Sequence, residues 1–418
     1  MATSGTIESQ AQTPHARFAD PMRRHVLMIT NHGVHEWNVV PGLPDTGGQN
    51  VYVNQFTEAL VALGYRVTIV NRGGYPHPKR PMKMQTGMVY HPSGHARIVY
   101  LEDGKAEFVR KEDMDEQLPA LAKDLTEKVN VETFDMIISH YWDAGKLGNM
   151  VNGKNGMPRV PHIWIPHSLG ALKKRNMDPS TWENLRIDER INNEKDLIKE
   201  IDGAAATSTA IRDTFLNDYD YECKFFLPPC IDEHRFHPLP SDRVAPIYPF
   251  LAEHCEHSEE EIRKRRIITE VSRTDRTKRK DVLIKAFAEV RKSHPDTLLA
   301  VSIDPHAGQL HDDLQQLIDD LDVRRDVVVL GSVWAQLPIL YNATHTFVTP
   351  SVMEGFGMTS QEAAATGKPV ISSDLVPFVC EYLIGPSPEK IEMQRGDKHE
   401  DIIVGKGGIV VPADFVEG

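Results

Sequence analysis

Residues 346–366 read TFVTPSVMEGFGMTSQEAAAT, and this stretch decides the fold. Its β-branched and aromatic start predicts a strand over Thr346–Pro350, and a helical pattern follows at Thr359–Thr366. Glu354 stands just beyond the strand, where open parallel sheets bind their ligands. Gly355 and Gly357 free backbone amides at the start of the helix, an arrangement that suits phosphate or sugar oxygens. The stretch therefore predicts a ligand site at the carboxyl end of a parallel strand.

A second carboxylate, Glu362, falls one turn into the same helix. A carboxylate in that position can accept two hydroxyl groups, as a ribose offers. Taken alone, Glu362 would be read as a solvated helix residue. Its place after a strand, Glu354 and two glycines favours a binding role instead.

Strands and helices alternate along almost the whole chain. Strands are predicted at His25–Thr30, Arg66–Asn71, Arg97–Leu101, Asp135–His140 and His162–His167, and in a second series at Ile267–Arg273, Leu298–Ile303, Asp326–Gly331, Thr346–Pro350 and Pro369–Ser373. Helices are predicted at Asn50–Leu63, Ile187–Ile201, Val282–Lys292, Leu310–Leu321 and Thr359–Thr366. Such alternation indicates an α/β fold with two Rossmann-like domains, in which helices cover parallel sheets.

A proline-rich stretch separates the two series. Residues 228–262 contain six prolines and the acidic run Ser258–Glu261, and they fit neither the strand nor the helix pattern. The predicted organisation is a flexible tail over 1–20, an N-terminal domain over 21–228, a linker or insertion over 229–262 and a C-terminal domain over 263–418. The chain ends just after an apolar run, so we expect it to be a truncated form without a closing helix.

The composition excludes several classes of partner. The 47 basic and 60 acidic residues among 418 give a net charge of -13, which argues against nucleic acid and against docking on an anionic membrane. No apolar run reaches the roughly 18 residues of a membrane span, and the first twenty residues lack the apolar core of a signal peptide. The four cysteines are scattered, which fits a reducing compartment. We predict a cytoplasmic protein that binds small molecules, without nucleic acid or stable membrane association, and the sequence specifies no oligomeric state.

A glycine-rich loop occupies Gly42–Val53, which reads GLPDTGGQNVYV between a predicted strand and helix. Paired glycines at a helix start allow a ligand to approach the backbone, and the amides there favour an anion. A simple tight turn is the alternative. The loop has neither the dinucleotide-binding pattern nor the P-loop pattern, so a dehydrogenase and a P-loop enzyme lose their main support.

A cluster of cations follows the strand Ile267–Arg273. Five basic residues lie between Arg273 and Lys280 in an otherwise acidic chain, although such runs are often only solvated loops. Arginine offers a planar fork to a diphosphate and lysine a point charge. Fixed cations of this kind neutralise a leaving diphosphate without a metal. We therefore expect no metal site and no tightly bound cofactor, with a divalent metal at most stimulatory.

Together these motifs resemble the retaining glycosyltransferase family of sucrose synthase, sucrose-phosphate synthase and mannosylfructose-phosphate synthase. The resemblance extends from Val26 to Val411. Its motifs are the glycine loop above, H-Y-W-D-A-G at 140–145, H-S-L-G at 167–170, S-R-x-D at 272–275 and the two glutamates with seven residues between them. The resemblance implies the GT-B fold, which consists of two facing Rossmann-like domains.

The resemblance also implies roles for single residues. On the donor side, Arg273 and Lys278 would hold the diphosphate, Glu362 the ribose, and Glu354 would lie beside the sugar. Backbone amides that contact the donor would come from Gly355, Phe356, Gly357, Met358 and Thr359. His167 would approach the transferred sugar, and Gly48 with Gln49 would close over the reaction centre. Acceptor-side residues would be Gly47, Gln49, Lys105, Lys111, His140, Asp143 and Lys173.

Two features depart from the family pattern. Chains of this family normally continue past the position of Gly418 with helices that cross back onto the first domain, and we expect these closing helices to be missing from a truncated form. Leu375–Val379 also replaces a stretch in which the family often has paired glycines. The second departure concerns how the donor is held.

The hypothesis from sequence is a retaining transfer of glucose or mannose from a nucleoside diphosphate sugar, the substrate, to a small acceptor. First-domain cations suit a phosphorylated sugar or glycerate-type acceptor, although a solvated face is the alternative explanation for Lys105 and Lys111. His140 is the weaker candidate and would support its loop. Two other functions stay open, a glycosyltransferase for lipid or polysaccharide acceptors and a non-catalytic nucleotide-sugar-binding protein.

Overall fold

The computed structural model describes residues 13–39, 43, 46–129, 134–154, 158–395 and 398–413. These residues form two compact units. One unit contains the chain up to Pro166 together with Asn193–Ala205, and the other contains His167–Asn192 together with the chain from Ala206 onward. None of the helices in the described ranges combines the length and apolar character that a membrane span requires.

The first half of the chain builds an eight-stranded sheet. Its strands and a small hairpin are β1 (His25–Ile29), β2 (Arg66–Arg72), β3 (Pro76–His77), β4 (Arg80–Met84), β5 (Met88–Tyr90), β6 (Ala96–Leu101), β7 (Met136–His140), β8 (His162–Ile165), β9 (Gly203–Ala206) and β10 (Phe225–Phe226). The order in the sheet is β10-β9-β8-β7-β1-β2-β6-β5, while β3 and β4 pair with each other. Strand β5 is antiparallel to β6, and β1 is parallel to both β2 and β7. All five residues of β1 are buried, as expected for a central strand covered on both faces.

Helices alternate with these strands along the chain. They are α1 (Pro14–Phe18), α2 (Gly48–Ala62), α3 (Leu118–Lys128), α4 (Trp142–Val151), α5 (Gly170–Asn176), α6 (Ile187–Ile198) and α7 (Thr209–Tyr219). One core cluster joins Leu27 and Val70 of the sheet to Leu121 and Leu125 of α3 and Leu147 of α4. Removal of this apolar surface from water is the main term that holds the layers together.

The second half of the chain builds a second eight-stranded sheet. Its strands are β11 (Arg266–Glu270), β12 (Thr297–Ser302), β13 (Val327–Leu330), β14 (Thr346–Thr349), β15 (Val370–Ser373), β16 (Glu389–Arg395), β17 (Lys398–Val404) and β18 (Gly408–Val411), in the order β13-β12-β11-β14-β15-β18-β17-β16. Its helices are α8 (Ser241–Val244), α9 (Ile247–Ala252), α10 (Glu259–Ile262), α11 (Lys280–Ser293), α12 (Gln309–Asp320), α13 (Leu337–Ala343) and α14 (Met358–Ala365). Strands β11 to β15 pair in parallel, and β18 continues the parallel pairing beside β15. Two mainly parallel sheets covered by helices confirm the predicted fold class.

The proline-rich connection differs from the prediction, because it is folded. Its α8, α9 and α10 pack Val244, Ile247, Leu251 and Ile262 into the core cluster of the second sheet. Proline is tolerated at a helix start, and Pro240 and Pro246 are the cap residues of α8 and α9. The prolines that looked like a linker therefore begin short helices.

The end of the expected flexible tail is also ordered. Thr13 caps α1 by accepting a hydrogen bond from the amide of Ala16, 3.3 Å away. Phe18 is buried, with its ring centroid 5.3 Å from that of His25 and the guanidinium of Arg97 4.3 Å above its ring. A buried aromatic anchor thus fixes this segment, and the tail prediction is wrong for residues 13–20.

The antiparallel hairpin β16–β17 was not predicted. Its strands pair from Glu389 opposite Val404 to Arg395 opposite Lys398, and β17 pairs in turn with β18. Ile391 and Met393 are partly exposed on β16. A half-buried strand is recognised in a sequence by apolar residues that alternate with polar ones and face the core. Because apolar residues of β16 are exposed instead, this signal is too weak to predict the hairpin.

Candidate functional site

The glycine loop of the second unit runs from the end of β14 to α14. Gly357 is the residue before α14 and has φ 104°, a conformation that favours glycine. A Cβ atom on Gly357 would lie 2.6 Å from Cγ1 of the buried Val376. Glycine is thus required here by both conformation and space, and it leaves the amides of Met358 and Thr359 at the start of the helix.

Gly355 is required for a different reason. A Cβ atom at this position would lie 2.1 Å from the main-chain oxygen of His167, which is far inside a normal contact. His167 itself has φ 57°. The structure therefore brings His167 directly against the donor-side glycine loop, two predicted elements that are 188 residues apart in the chain.

Lys278 and Glu354 form an ion pair, and the loops that carry them are joined by hydrogen bonds. The amide of Val352 donates to the carbonyl of Thr277 at 2.8 Å, and Oγ of Ser351 donates to the same carbonyl at 3.2 Å. The ammonium of Lys278 also lies 3.5 Å from Oγ of Ser351. Lys278 is only 7% exposed. The side chain is therefore fixed before any ligand arrives.

Arg273 lies on the same loop but is 62% exposed. Its guanidinium lies 3.6 Å from the carboxylate of Asp275. Asp275 also caps the 3₁₀ turn Arg276–Lys278 by accepting from the amide of Thr277 at 3.0 Å. Burial would raise the pKa of Asp275, but the charges of Arg273 and Lys278 overcome it and lower the pKa. Asp275 thus lies closest to Arg273, while Lys278 at the other end of the same loop pairs with Glu354.

Glu362 is buried in α14 at 5% exposure. Burial raises its pKa to about 7, against the lowering effect of Arg235 and of the hydrogen bond from Tyr341. The hydroxyl of Tyr341 donates to Oε2 of Glu362 over 3.4 Å. Arg235, in the connection between the sheets, was missed by sequence reasoning because only folding brings it near α14.

Phe356 is the remaining member of the predicted donor set. It is buried, its carbonyl accepts from the amide of Phe378 at 2.8 Å, and its ring lies 5.5 Å from that of Phe378. The segment Leu375–Val379, which departs from the family pattern, therefore packs directly on the glycine loop.

Lys173, a predicted acceptor-side residue, lies in α5 and is followed there by Lys174 and Arg175. Lys174 pairs with Asp188, and Arg175 pairs with Asp218 and donates to Oγ1 of Thr214 at 3.0 Å. Two of these three cations are therefore held by carboxylates of the same unit, and Lys173 is half-buried.

In the first unit, the glycine loop ends at the start of α2. Gly47 precedes the helix with open space where a Cβ would be, Gly48 begins it, and Gln49 donates from Nε2 to Oγ1 of Thr30 at 3.0 Å. Gly42, Pro44 and Asp45 of the predicted loop lie outside the described residues.

His140 and Asp143 are both buried where β7 passes into α4. Asp143 Oδ1 lies 3.1 Å from Nδ1 of His32, and Asp143 Oδ2 is buried without a hydrogen-bond partner in the described part of the chain. Sequence reasoning missed His32, although its place directly after β1, at the carboxyl end of a parallel strand, was an available signal. A half-satisfied buried carboxylate is the kind of group that a ligand hydroxyl completes.

Lys105 and Lys111 lie on the segment after β6. The lysine at 105 is exposed, and Lys111 Nζ is 3.0 Å from Oε1 of Glu112. Arg72 anchors this segment with a two-pronged pair to Asp103 at 2.6 and 3.1 Å and a bond to the carbonyl of Lys105 at 3.2 Å. A buried arginine therefore fixes the backbone on which the predicted acceptor cations lie.

Comparison with known families gives two matches along the chain. Residues 46–235 match the family described as Glycosyltransferase Family 4, and residues 255–385 match the family described as Glycosyl transferases group 1. The second match contains the cation loop, both glutamates and the glycine loop between them.

Curated relatives are similar over most of their length. The chain is 28% identical over 368 residues to the mannosylfructose-phosphate synthase of Agrobacterium fabrum, covering 83% of this chain and 75% of that protein. It is 29% identical over 356 residues to the D-inositol 3-phosphate glycosyltransferase of Corynebacterium jeikeium, covering 80% and 77%.

Solved structures show the same fold. The sucrose-phosphate synthase of Thermosynechococcus elongatus superposes with a TM-score of 0.75 at 23% identity, covering 94% of this chain and 87% of that one. HepE of Anabaena, in complex with UDP and glucose, gives a TM-score of 0.60 at 16% identity, covering 87% and 84%. At these identities the likeness concerns the fold, and it confirms the architecture predicted from the sequence.

Proposed function

Because the chain carries two glycosyltransferase domains on the GT-B fold, we propose that it is a retaining hexosyltransferase that uses a nucleoside diphosphate sugar. The observation that carries this proposal is the rim formed by the loop of Arg273 and Lys278 and by Glu354, which pairs with Lys278 and directly precedes the glycine loop. Two cations, a carboxylate and helix-start amides together match a diphosphate attached to a sugar.

In the proposed complex, Arg273 and Lys278 bind the diphosphate and the amides of residues 355–359 bind its oxygens and those of the sugar. Glu362 accepts the ribose hydroxyls. Because fixed cations neutralise the leaving group, no tightly bound cofactor is required. Treatment with a chelator is expected to leave at least part of the turnover, and complete, metal-reversible loss would contradict this part of the proposal.

The proposed chemical step breaks the bond between the sugar C1 and the diphosphate oxygen while a bond forms from the acceptor oxygen to C1 on the same face. The departing diphosphate oxygen takes the proton of the acceptor hydroxyl, so no protein carboxylate acts as nucleophile. The protein contributes position and charge stabilisation. The contact of Gly355 with the backbone of His167 supports a place for the transferred sugar beside these two residues.

For the acceptor, we propose a small phosphorylated sugar or a glycerate-type compound. The relatives above are named for mannosylfructose phosphate and D-inositol 3-phosphate, which supports a phosphate on the acceptor. Lys105, Lys111 and Lys173 are the cations proposed to meet it, with Asp143 and Gln49 available to sugar hydroxyls.

The test is a transfer assay with a panel of uridine, guanosine and adenosine diphosphate sugars that carry glucose or mannose. Each is paired with a phosphorylated ketohexose, a phosphorylated inositol or phosphoglycerate, and with the same compound without phosphate. We expect release of the nucleoside diphosphate only with a phosphorylated acceptor, and NMR should show the anomeric configuration of the donor retained. Equal rates with plain acceptors would refute the phosphate requirement, inversion would refute the mechanism, and donor binding without transfer or hydrolysis would show a non-catalytic protein.

A lipid or polysaccharide acceptor is tested in the same series. Anionic vesicles are sedimented with the protein, and the transfer assay is repeated with vesicle extracts and with oligosaccharides. Transfer to either of these, but to none of the small acceptors, would replace the proposed acceptor class.

A further inference from the structure

Lys280, one of the five basic residues that follow β11, lies inside the protein and not on the rim. It is the first residue of α11, is 2% exposed, and forms an ion pair with the fully buried Glu270, the last residue of β11. Its ammonium also donates to Oγ of Ser272 at 3.0 Å, to the main-chain oxygen of Ser272 at 3.3 Å and to Oγ of Ser302 at 3.4 Å. The pair therefore joins the two ends of the loop 271–279.

Ser302 holds the same point of this loop from the neighbouring strand β12. Its hydroxyl donates to the main-chain oxygen of Ser272 at 2.8 Å and accepts from the amide of Ser272 at 3.1 Å. Two residues further along, Oγ1 of Thr274 accepts from the amide of Asp304 at 2.8 Å. The main chain is thus fixed on both sides of Arg273, although the side chain of Arg273 is exposed.

The other end of the loop turns at Arg279, which has φ 49°. This left-handed conformation is uncommon for a residue with a side chain, and it persists where the surroundings hold it. The two neighbours of Arg279 supply that restraint. On one side the buried Lys278 pairs with Glu354. On the other side the buried Lys280 pairs with Glu270, so the turn directs two adjacent ammonium groups to different carboxylates.

Stability alone does not explain this buried pair. Removing two charges from water costs about as much as their attraction returns, so an apolar pair of similar size is often as stable or more stable. Oε1 of Glu270 is buried without a hydrogen-bond partner in the described part of the chain, which adds to the cost. An ammonium group has three donors, so it reaches the carboxylate and the loop together, which an apolar side chain cannot do.

We propose that Lys280 and Glu270 are positioning residues for the donor: their buried pair holds the loop 271–279 in the shape that presents Arg273 and Lys278 to the diphosphate. This inference rests on the proposed function and extends it to a pair beneath the rim. Charges that are in place before the reaction stabilise a leaving group without reorganisation, and such charges require a fixed main chain.

The test replaces the ion pair by an apolar pair, in the double variant Glu270→Leu/Lys280→Met. This variant should melt close to wild type, whereas its loop loses the ammonium that holds Ser272. Calorimetry compares the diphosphate and the monophosphate of the nucleoside (uridine, guanosine or adenosine) that wild type binds most tightly. We expect the diphosphate to bind at least about tenfold more weakly and the monophosphate to change little. Since a displacement of about 1 Å is sufficient, kcat/KM for transfer should fall by about a hundredfold.

Ser302→Ala removes the second anchor and leaves the ion pair in place, so it decides the question if the double variant does not fold. It should also weaken diphosphate binding, and hydrogen exchange should become faster at the amides of residues 271–279 in both variants. Asp326→Ala is the control for a general loss of stability, because Asp326 directly precedes β13, at the opposite edge of the parallel sheet from this loop. It should melt at a lower temperature and keep wild-type diphosphate affinity.

A third comparison tests whether the pair acts through the rim. In an Arg273→Ala background, the apolar pair should cost less diphosphate affinity than it costs in wild type, because part of its effect is already lost. Wild-type affinity and exchange in the variants that fold, equal losses for diphosphate and monophosphate, or full additivity with Arg273→Ala would overturn the inference and leave the proposed function intact. A wild-type protein that binds no nucleoside diphosphate would overturn both.

Discussion

Gly355→Ala tests the closest contact in the candidate site. The Cβ atom of alanine would stand 2.1 Å from the main-chain oxygen of His167, and no side chain can rotate away because the obstacle is backbone. A carbon and an oxygen in contact are normally about 3.3 Å apart, so one of the two loops must retreat by about 1 Å. Overpacking of this kind costs about 1–3 kcal/mol in stability.

The expected effect on transfer is larger than that on stability. A misplacement of about 1 Å near reacting groups can lower the rate by about a hundredfold, because the reacting atoms leave their productive geometry. We therefore expect Gly355→Ala to fold, to melt at a lower temperature than wild type, and to lose about two orders of magnitude in kcat/KM. The rate is measured as release of nucleoside diphosphate, with the donor and acceptor that the substrate panel selects, and stability is measured by thermal unfolding.

Gly331→Ala is the matched control. Gly331 follows β13 in the same unit, its added Cβ would meet no atom within 4 Å, and it is not among the glycines with positive φ. It should keep nearly wild-type turnover. If Gly355→Ala also retained wild-type kcat/KM, the contact between its loop and the His167 backbone could not exist in the working protein, and the reasoning would be refuted.

Four further substitutions probe charges in the second unit. Arg273→Ala should lower turnover at saturating donor by about a hundred- to a thousandfold, because one cationic donor to the leaving diphosphate is lost, and near wild-type turnover would disprove the assignment. Glu354→Gln removes a negative charge next to Lys278, so it should tighten the binding of the nucleoside diphosphate, measured by calorimetry, and lower the rate of transfer. Weaker binding of the nucleoside diphosphate would contradict this prediction. Burial raises the pKa of Glu362 from 4.5 to about 7 in the folded protein, so the stability that Glu362 contributes is complete below pH 4.5 and is lost as the pH rises through 7. Glu362→Gln should remove this loss of about 3 kcal/mol from the pH dependence of the free energy of unfolding. Asp326 is 1% exposed and contacts three groups that can carry a positive charge, namely His257 at 2.7 Å, Arg265 at 2.9 Å and Arg291. Asp326→Ala should therefore destabilise the protein by about 3–5 kcal/mol, and an unchanged melting temperature would contradict this.

Local pattern was sufficient for the elements that carry the donor site. The strand predicted at Thr346–Pro350 is observed as Thr346–Thr349, and the helix predicted at Thr359–Thr366 as Met358–Ala365. These elements are buried strands and helices that begin at a glycine, and their hydrophobic periodicity and bounding glycines are strong signals in the sequence. The strand predicted at Ile267–Arg273 ends earlier, at Glu270, because the chain there turns to present the cation loop.

What the sequence did not reveal depends on contacts between distant residues. Arg72 pairs with Asp103 and His32 with Asp143, and in both cases the partners are far apart in the chain. Similarly, the helices of the connection are too short to show a period and are stabilised by packing on the second core. Tertiary contact, rather than local propensity, decides these features.

The two cations of the donor rim are held by opposite means, and the difference indicates how each would act on a diphosphate. Lys278 is buried and paired with Glu354, so its charge is in place before binding and needs no reorganisation during the reaction. Arg273 is largely exposed and only 3.6 Å from Asp275, so it acquires its geometry from the ligand and loses side-chain entropy in doing so. In a chain with a net charge of -13, an exposed arginine on this rim also offers an arriving anion a local positive charge. We therefore expect Arg273 to contribute to capture of the donor in addition to its contact with the leaving diphosphate, whereas the charge of Lys278 is in place for the leaving group from the start.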